Sequence, residues 1–283
     1  MGLTWSNMIF IRYSEIGLKS TPVRIRFENR LRDNMMSMLA YDGIEAIITK
    51  NESRFYVETD KEDAAARSLS RVFGISSLSI AETCSSDMED ICKTAARYSL
   101  ERISEGESFA VKARREGDHK YGSMDVGREA GSAIFLANED KNVKVNLTNP
   151  DKVFYIEVRR NTAFIFEHYV RCHGGLPIGT QGKILAEAED ERGIVSAWLM
   201  MKRGCKVYLR GEGADILAKY DPELKTVDVE NPRNIHGMVL GTSFENMDSL
   251  DVTKYDLPVF MPTVGMTDEE VTGIIQMINK DIN

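Results

Sequence analysis

The sequence has 283 residues, of which 42% are hydrophobic and 28% charged, a balance typical of globular domains and not of disordered or fibrous chains. No apolar run approaches the roughly 20 residues that a membrane-spanning helix needs, so we expect no membrane partner. The formal charge is −8, but residues 1–173 are nearly balanced with 25 basic and 26 acidic residues, whereas 174–283 hold 11 basic and 18 acidic residues. Nucleic-acid binding would therefore need local basic patches in the first two thirds of the chain.

The first 82 residues alternate strand and helix signals. The pattern predicts a strand over 8–13, a helix from Thr21 to about 42, strands over 44–49 and 54–58, a helix over 60–73 and a strand over 76–81. Thr21 is expected to cap the first helix, with Pro22 at its first position. The order βαββαβ predicts a ferredoxin-like domain of the α+β type.

The next stretch, 83–172, has the signals of a second compact α/β unit. Predicted helices run over 86–103 and 123–135, capped by Ser86 and Ser123, and predicted strands cover 108–113, 143–147, 153–159 and 163–169. The four cysteines, Cys84, Cys92, Cys172 and Cys205, form no Cys-x-x-Cys pair, so no zinc or thioredoxin-like site is expected. A chain of this length does not need disulfides, which fits a cytoplasmic protein.

A glycine-rich connector opens the last part, 173–283. After it the sequence predicts a helix over 192–202, strands over 206–209 and 238–241, and a final helix capped by Thr267. The stretch 212–234 has no clear pattern. The connector motif consists of Gly174, Gly175, Pro177, Gly179, Thr180 and Lys183. Its glycines permit turns that other residues resist, and Pro177 stiffens the path.

Several motifs in this order resemble the tRNA 4-thiouridine synthetase family (ThiI, also linked to thiamine biosynthesis). They are the connector, the stretch Ala197–Cys205, the opening motif Arg12–Lys19, the junction Val72–Ile75, and Phe109–Arg115 with Asn149–Asp151. The resemblance implies a mixed α/β protein with three parts: a ferredoxin-like domain over 1–82, an RNA-binding THUMP domain over 83–172, and a truncated adenine-nucleotide-hydrolase-like (Rossmann-like) domain over 173–283. It also implies tRNA as a partner. The family also carries a persulfide-forming cysteine in a rhodanese-like extension, and we expect this protein to lack it.

The family's pyrophosphate loop, Ser-Gly-Gly-x-Asp-Ser, is replaced here by an acidic run. The residues at this place are Glu187, Glu189, Asp190, Glu191 and Arg192. A phosphate-binding loop needs close backbone N–H groups at a helix N-terminus, and an anionic side chain about 4 Å from a phosphate costs on the order of 4 kcal/mol. We therefore expect no ATP, no catalytic residue and no metal site, with the carboxylates satisfying the helix N-terminus instead. The alternative is a Mg²⁺ site built by these acids, with ATP bound unconventionally.

A basic cluster lies in the predicted THUMP domain. Its members are Lys112, Arg114, Arg115, Lys120, Arg128 and Arg159. Lys112 and Arg114 alternate along a strand and therefore share a face, and the rings of His119 and Tyr121 could stack on bases. The alternative is a solvated surface with internal salt bridges. With the family resemblance, RNA binding is the preferred interpretation.

The sequence thus predicts a tRNA-binding, ThiI-like protein that lacks ATP-dependent adenylation. A second hypothesis is an active tRNA sulfurtransferase that makes 4-thiouridine with an external sulfur donor. A third is a non-catalytic assembly partner, forming a homodimer or binding another protein through the third domain. We also expect the connector to fix the third domain against the RNA-binding half.

Overall fold

The computed structural model of the protein describes residues 7–51, 53–227 and 234–282. The first part of the chain runs through β1 (Asn7–Arg12), α1 (Thr21–Tyr41), β2 (Ile47–Asn51), β3 (Arg54–Glu58), α2 (Glu62–Ser70) and β4 (Ser77–Ser85). This is the predicted βαββαβ order. Thr21 is the first helical residue of α1 and not its cap, which is the position of Ser20.

The second part consists of α3 (Met88–Leu100), β5 (Ser108–Glu116), α4 (Ser123–Ala137), β6 (Lys144–Val145), β7 (Lys152–Arg159), β8 (Thr162–Phe166) and β9 (Val170–Arg171). The predicted caps Ser86 and Ser123 are wrong. The N-cap position of α3 is Asp87. At α4 the N-cap position is Gly122, whose backbone N–H donates to Asp125 Oδ2 at 2.8 Å, so an acid inside the first turn satisfies the backbone of the N-cap residue.

The third part consists of β10 (Gly182–Ala188), α5 (Glu191–Lys202), β11 (Cys205–Gly211), α6 (Ala214–Leu217), β12 (Lys225–Thr226), β13 (Met238–Leu240), β14 (Val259–Phe260) and α7 (Asp268–Ile282). Strand β10 was not predicted, and it contains two residues assigned above to the connector and to the acidic loop, Lys183 and Glu187. The strand escapes a period-two search because Ile184, Leu185 and Ala186 are buried in succession, as is usual in parallel sheets covered on both faces. The unpatterned stretch 212–234 contains α6 and β12, and its residues 228–233 lie outside the described ranges.

The chain divides into two compact units. Unit 1 comprises Met1–Phe10, Tyr56–Asp63 and Ser79–Val170, and unit 2 comprises Ile11–Phe55, Ala64–Leu78 and Arg171–Asn283. The division passes through β1, β3 and β4. The domain boundaries at 82 and 172 therefore stay a prediction from the sequence.

Unit 1 is built on a sheet whose strands follow the order β3-β1-β4-β8-β7-β5-β6. Helices α3 and α4 pack on one face, around a core that includes Ile91, Val126, Phe109, Phe154 and Ile165. The opposite face carries an aromatic cluster of Phe10, Tyr56, Phe164 and Phe166, with Tyr155 and Tyr169 packed against it. Because side chains alternate along a strand, the two faces of β5 have different surroundings.

Unit 2 contains a parallel sheet in the order β12-β11-β10-β13-β14. Helices α5 and α7 cover one face, where Trp198, Val207, Val239 and Ile275 are buried. The other face carries a smaller cluster around Leu185, Ile235 and Met238. A parallel sheet with helical crossovers is a Rossmann-like arrangement. Its strands end together at one edge, the carboxyl edge, where such folds bind ligands.

Candidate functional site

Strand β5 of unit 1 presents two exposed cations on the face opposite α3 and α4. Lys112 and Arg114 alternate with Val111 and Ala113, which pack toward the helix-side core. In register, Lys112 lies beside Tyr155 and Arg114 beside Glu157 on the parallel strand β7. The shared face of Lys112 and Arg114 is therefore as expected.

The other basic residues of the predicted cluster are engaged within the protein or stand apart. Arg128 on α4 is ion-paired with Asp125 at 3.3 Å and with Glu129 at 3.1 Å. Arg159 is only 16% exposed and is paired with Glu116 and Glu157. Their charges are thus largely balanced by neighbouring carboxylates, as in the alternative interpretation of a salt-bridged surface.

Arg115 and Lys120 complete the cluster. Arg115 donates to the carbonyl oxygen of Gly117, which holds its guanidinium in the turn after β5. Lys120 is exposed in the connection between β5 and α4. Within the described ranges, Lys112, Arg114, Arg115 and Lys120 have no carboxylate partner, so these four carry the uncompensated positive charge of the cluster.

The two rings near the cluster contact each other. His119 and Tyr121 have centroids 5.2 Å apart and planes inclined by 30°. His119 Nε2 lies 2.6 Å from the carbonyl oxygen of Arg160, and the Tyr121 hydroxyl donates to Ser86. One face of each ring is thus covered by the other ring within the loop after β5. Less ring surface is therefore accessible to an RNA base than the sequence suggested.

Tyr155 and Tyr169 are the aromatic residues that sequence reasoning missed. Tyr155 stacks on Phe166 with centroids 5.5 Å apart and meets Tyr169 edge-on at 4.8 Å. Both tyrosines are partly exposed, on the same face as Lys112. The Tyr169 hydroxyl donates to Glu157 at 3.0 Å. Only strand alternation combined with the β5–β7 register could have located this pair beside the free cations.

The acidic run of unit 2 is divided between three elements. Glu187 belongs to β10, Glu191 and Arg192 begin α5, and only Glu189 and Asp190 connect them. Asp190 Oδ1 accepts from the Gly193 backbone N–H at 2.8 Å. One acid of the run therefore caps the helix, as expected, while Glu189 and Glu191 are exposed.

Arg192 is a structural cross-link between α5 and the segment that precedes α7. Its guanidinium donates to the carbonyl oxygens of Thr263 and Met266 at 2.8 and 3.1 Å and to Asp268 Oδ1 at 2.6 Å. The side chain of Arg192 is 11% exposed. It thus satisfies buried backbone acceptors instead of facing solvent at the carboxyl edge.

Glu187 joins a hydrogen-bonded group whose other members were not singled out from the sequence. Its carboxylate accepts from Arg210 at 2.7 Å and from the Tyr255 hydroxyl at 2.8 Å. Burial raises the pKa of Tyr255; the nearby Lys254 opposes this shift and the bond to Glu187 adds to it. Glu187 is therefore committed to Arg210 on the neighbouring strand and to Tyr255, a pairing that depends on the register Glu187–Arg210.

The backbone is closely packed at the carboxyl edge of β10. A Cβ at position 193 would lie 2.6 Å from Ala188 Cα, and one at position 241 would overlap the Gly193 amide. The end of β10, the start of α5 and the residue after β13 are thus in backbone contact. The Gly193 N–H, a donor that a phosphate would need, is already bound to Asp190. Across the described ranges, no group of three His, Cys, Asp or Glu side chains is arranged to hold a metal ion.

Three of the four cysteine thiols lie in surroundings that favour the protonated form. Burial raises the pKa of Cys84, Cys92 and Cys205. Because the thiolate is the nucleophilic form, these three positions are poor sites for sulfur transfer at neutral pH.

The connector joins two parts of unit 2 through backbone hydrogen bonds. Gly74 N–H donates to the Gly174 carbonyl, and Gly174 N–H to the Ile75 carbonyl, both at 2.8 Å. Further along, Leu176 N–H donates to the Lys202 carbonyl at 3.0 Å. The Gly204 carbonyl accepts from the N–H groups of Gly179, Thr180 and Gln181 at 2.9, 3.0 and 3.1 Å.

Side chains reinforce this attachment. Asn34 on α1 donates its amide to the Ile178 carbonyl at 3.2 Å, and Pro177 packs where a Cβ of Gly74 would be. Phe73 lies in the same core as Trp198 and Tyr220, with ring centroids 5.3 and 5.5 Å away. The connector is therefore an integral part of unit 2. Lys183, counted with it above, belongs to β10.

Two family models match the chain. The ThiI ferredoxin-like domain matches residues 8–79, and the THUMP domain matches residues 85–166. The chain belongs to the ThiI family. The family resemblance and the mixed α/β fold expected from the sequence are thus confirmed.

Curated relatives of this ThiI-family chain include the probable tRNA sulfurtransferase of Methanosarcina acetivorans. It is 40% identical over 205 residues, which cover 71% of this chain and 50% of the relative. The chain spans about half the length of this relative and of the corresponding proteins of Methanosarcina mazei and Methanobrevibacter smithii.

Two solved structures have the same fold. PH1313 from Pyrococcus horikoshii aligns with a TM-score of 0.82 at 26% identity, covering 96% of this chain and 99% of that protein. A 4-thiouridine synthetase in complex with RNA and bound ATP aligns with a TM-score of 0.77 at 23% identity, covering 98% and 86%. None of the described helices is long and apolar enough to cross a membrane.

Proposed function

We propose that this ThiI-family chain binds tRNA through unit 1 and does not carry out ATP-dependent adenylation. The observation that carries the first half is the pair Lys112 and Arg114, exposed on a helix-free sheet face beside Tyr155. Cations on such a face contact phosphates, and a tyrosine ring offers a surface on which an unpaired base stacks. The THUMP match over 85–166 and the RNA complex of the similar 4-thiouridine synthetase support the assignment.

Charge reversal at Lys112 and Arg114 tests RNA binding. We expect Lys112→Glu with Arg114→Glu to weaken binding of a tRNA transcript at least tenfold. The slope of log K against log salt should also become less steep by roughly one for each phosphate that the variant no longer neutralises. Fluorescence anisotropy at several salt concentrations measures both quantities.

Arg128→Glu is the matched control because Arg128 is already neutralised by Asp125 and Glu129. We expect that variant to retain nearly the affinity of the parent protein. Equal losses in the two variants would contradict a specific role for the β5 face. Unchanged affinity in Lys112→Glu/Arg114→Glu would refute the proposed interface.

The second half of the proposal rests on the carboxyl edge of β10. There the Gly193 N–H is bound to Asp190, and Arg192 is bound to backbone carbonyls. A nucleotide that entered would meet exposed Glu189 and Glu191 without the glycine-rich backbone that holds phosphates. We therefore expect no Mg²⁺-dependent heat on titration with ATP.

Two alternatives remain distinguishable from this proposal. An active tRNA sulfurtransferase with an external sulfur donor requires ATP to bind with micromolar affinity and Mg²⁺ dependence, so that result would refute the loss of adenylation. A non-catalytic assembly partner predicts co-purification through the third domain and tRNA affinity that is indifferent to Lys112 and Arg114.

A further inference from the structure

A cavity of about 440 Å³ lies in unit 2, at the edge opposite to the one where Rossmann-like folds bind nucleotides. Its walls come from α1, the connector and the amino ends of β10, β11 and β12. In that order, the walls include Arg30, Ile178, Lys183, Lys206 with Tyr208, and Lys225. A volume of this size is within the range of small-molecule sites.

The charges around the cavity are unequal. Lys206 is neutralised by Asp221 at 2.8 Å and approaches Glu223 at 3.7 Å. The remaining acid, Asp33, is 3.3 Å from Arg32. In contrast, Arg30, Lys183 and Lys225 have no ion-pair partner among the side chains that the structure describes. Three cations without an ion-pair partner therefore line this cavity, whose walls hold four cations and three acids in all.

The strand register places two of the lysines side by side. Lys183 on β10 is directly opposite Lys206 on β11, and Lys225 on β12 is opposite Tyr208. Like charges directly opposite on neighbouring strands are destabilising. Asp221 offsets the charge of Lys206, but Lys183 is left beside it without a counter-charge. A bound anion would supply the missing one.

Arg30 approaches from the other wall. A Cβ at Gly179 would lie 3.3 Å from Arg30 Nε, so the glycine gives the arginine side chain room to lie along the connector. Arginine and lysine are the side chains that bind phosphate, the first as a fork of donors and the second as a point charge. His236 also lines the cavity and offers ring nitrogens.

We propose that this cavity binds the phosphate group of a small phosphorylated ligand of sugar-phosphate size. The cations hold the phosphate. The partly exposed ring of Tyr208 and the buried Ile178 provide the apolar wall against which the rest of the ligand packs. This site is separate from the β5 face of unit 1 and from the carboxyl edge of β10. It stands whether or not the proposed function holds.

The phosphate could also come from an RNA backbone, and the experiment separates the two sources. Isothermal titration with inorganic phosphate and with ribose 5-phosphate is compared between the parent protein, Arg30→Gln/Lys183→Gln and the control Lys280→Gln. Lys280 is exposed in the last turn of α7 and does not line the cavity. We expect both probes to bind the parent, ribose 5-phosphate more tightly, and the double variant to lose about tenfold or more in affinity, as expected for charge-assisted hydrogen bonds. The control should match the parent.

If the phosphate belongs to RNA, the double variant instead lowers tRNA affinity, and inorganic phosphate competes with tRNA in the parent only. ATP that binds in this cavity should no longer bind to Arg30→Gln/Lys183→Gln, whereas ATP that binds at the carboxyl edge of β10 should still bind to that variant. The double variant therefore separates a failure of this proposal from a failure of the proposed loss of adenylation. Circular dichroism and melting temperature check that the double variant is folded. The proposal is refuted if a folded double variant binds both probes and tRNA as the parent does.

Discussion

Replacing Gly175 by alanine tests whether the connector is integral to unit 2, and Gly174→Ala provides a matched control. Both glycines have left-handed backbone torsions, with φ of 66° at Gly174 and 75° at Gly175. A Cβ at 174 meets nothing within 4 Å, whereas a Cβ at 175 would lie 2.9 Å from Lys202 Cγ and would overlap the Lys202 carbonyl oxygen. The two variants thus share the torsional cost and differ in the steric overlap.

The torsional cost of alanine in the left-handed region is about 1–2 kcal/mol. At 175 the overlap also forces the connector away from Lys202, which breaks the 3.0 Å bond from Leu176 N–H to the Lys202 carbonyl. Breaking a backbone bond so that a buried acceptor is left unpaired adds roughly 1–3 kcal/mol. We therefore expect Gly174→Ala to lower the free energy of unfolding by about 1–2 kcal/mol and Gly175→Ala by roughly 2–5 kcal/mol.

Urea titration followed by the emission of Trp198 measures these changes. Trp198 is buried and lies one helical turn before Lys202, and Trp5→Phe makes it the sole tryptophan of the chain. Small-angle scattering of the same variants is expected to show expansion for Gly175→Ala only. Equal destabilisation of the two variants, or an unaltered scattering profile together with equal unfolding midpoints, would mean that the connector is a passive linker.

Three further predictions concern single side chains. Asp190→Ala should cost about 1 kcal/mol of stability through loss of the α5 cap, whereas Glu189→Ala stays within about 0.5 kcal/mol; equal urea midpoints for the two would contradict the cap. Arg192→Ala should lower stability by roughly 2–4 kcal/mol, because it leaves two backbone carbonyls without a hydrogen-bond donor. Asp268→Ala should lower stability by less than about 1 kcal/mol, because the Asp268 side chain is 95% exposed. Similar melting temperatures of the two variants would show that the salt bridge, and not the bonds to the carbonyls, stabilises the fold. Burial first, and then the bond to Glu28, raises the pKa of Tyr13 to about 12. The folded state therefore holds the phenol proton of Tyr13 more strongly than the unfolded state does. The resulting stabilisation is present below pH 10 and is lost as the pH rises from about 10 to 12. Tyr13→Phe should remove that pH dependence of unfolding, and a persistent slope would assign it to other groups.

The order of elements in the first two parts followed from local chemistry. Glycine and proline positions and hydrophobic spacing predicted the βαββαβ order, and alternation along β5 placed Lys112 and Arg114 on one face. These signals act within a few residues and are therefore visible in a sequence. The motifs that carry the family resemblance are likewise short and ordered along the chain.

Only the tertiary structure decided which charges are free. Arg159 looks like Lys112 in the sequence, but strand register brings Glu116 beside it and neutralises its charge. Arg128, in contrast, pairs with acids of its own helix, at a spacing that the sequence already contains. Strand β10 was not predicted because burial on both faces removes the alternating pattern. Without that strand, the sequence could not show that Glu187 pairs with Arg210. The cavity at the amino ends of β10 and β11 unites Arg30 with Lys225, which are far apart in the chain. Such proximity depends on register and packing between distant segments, and no local pattern records it.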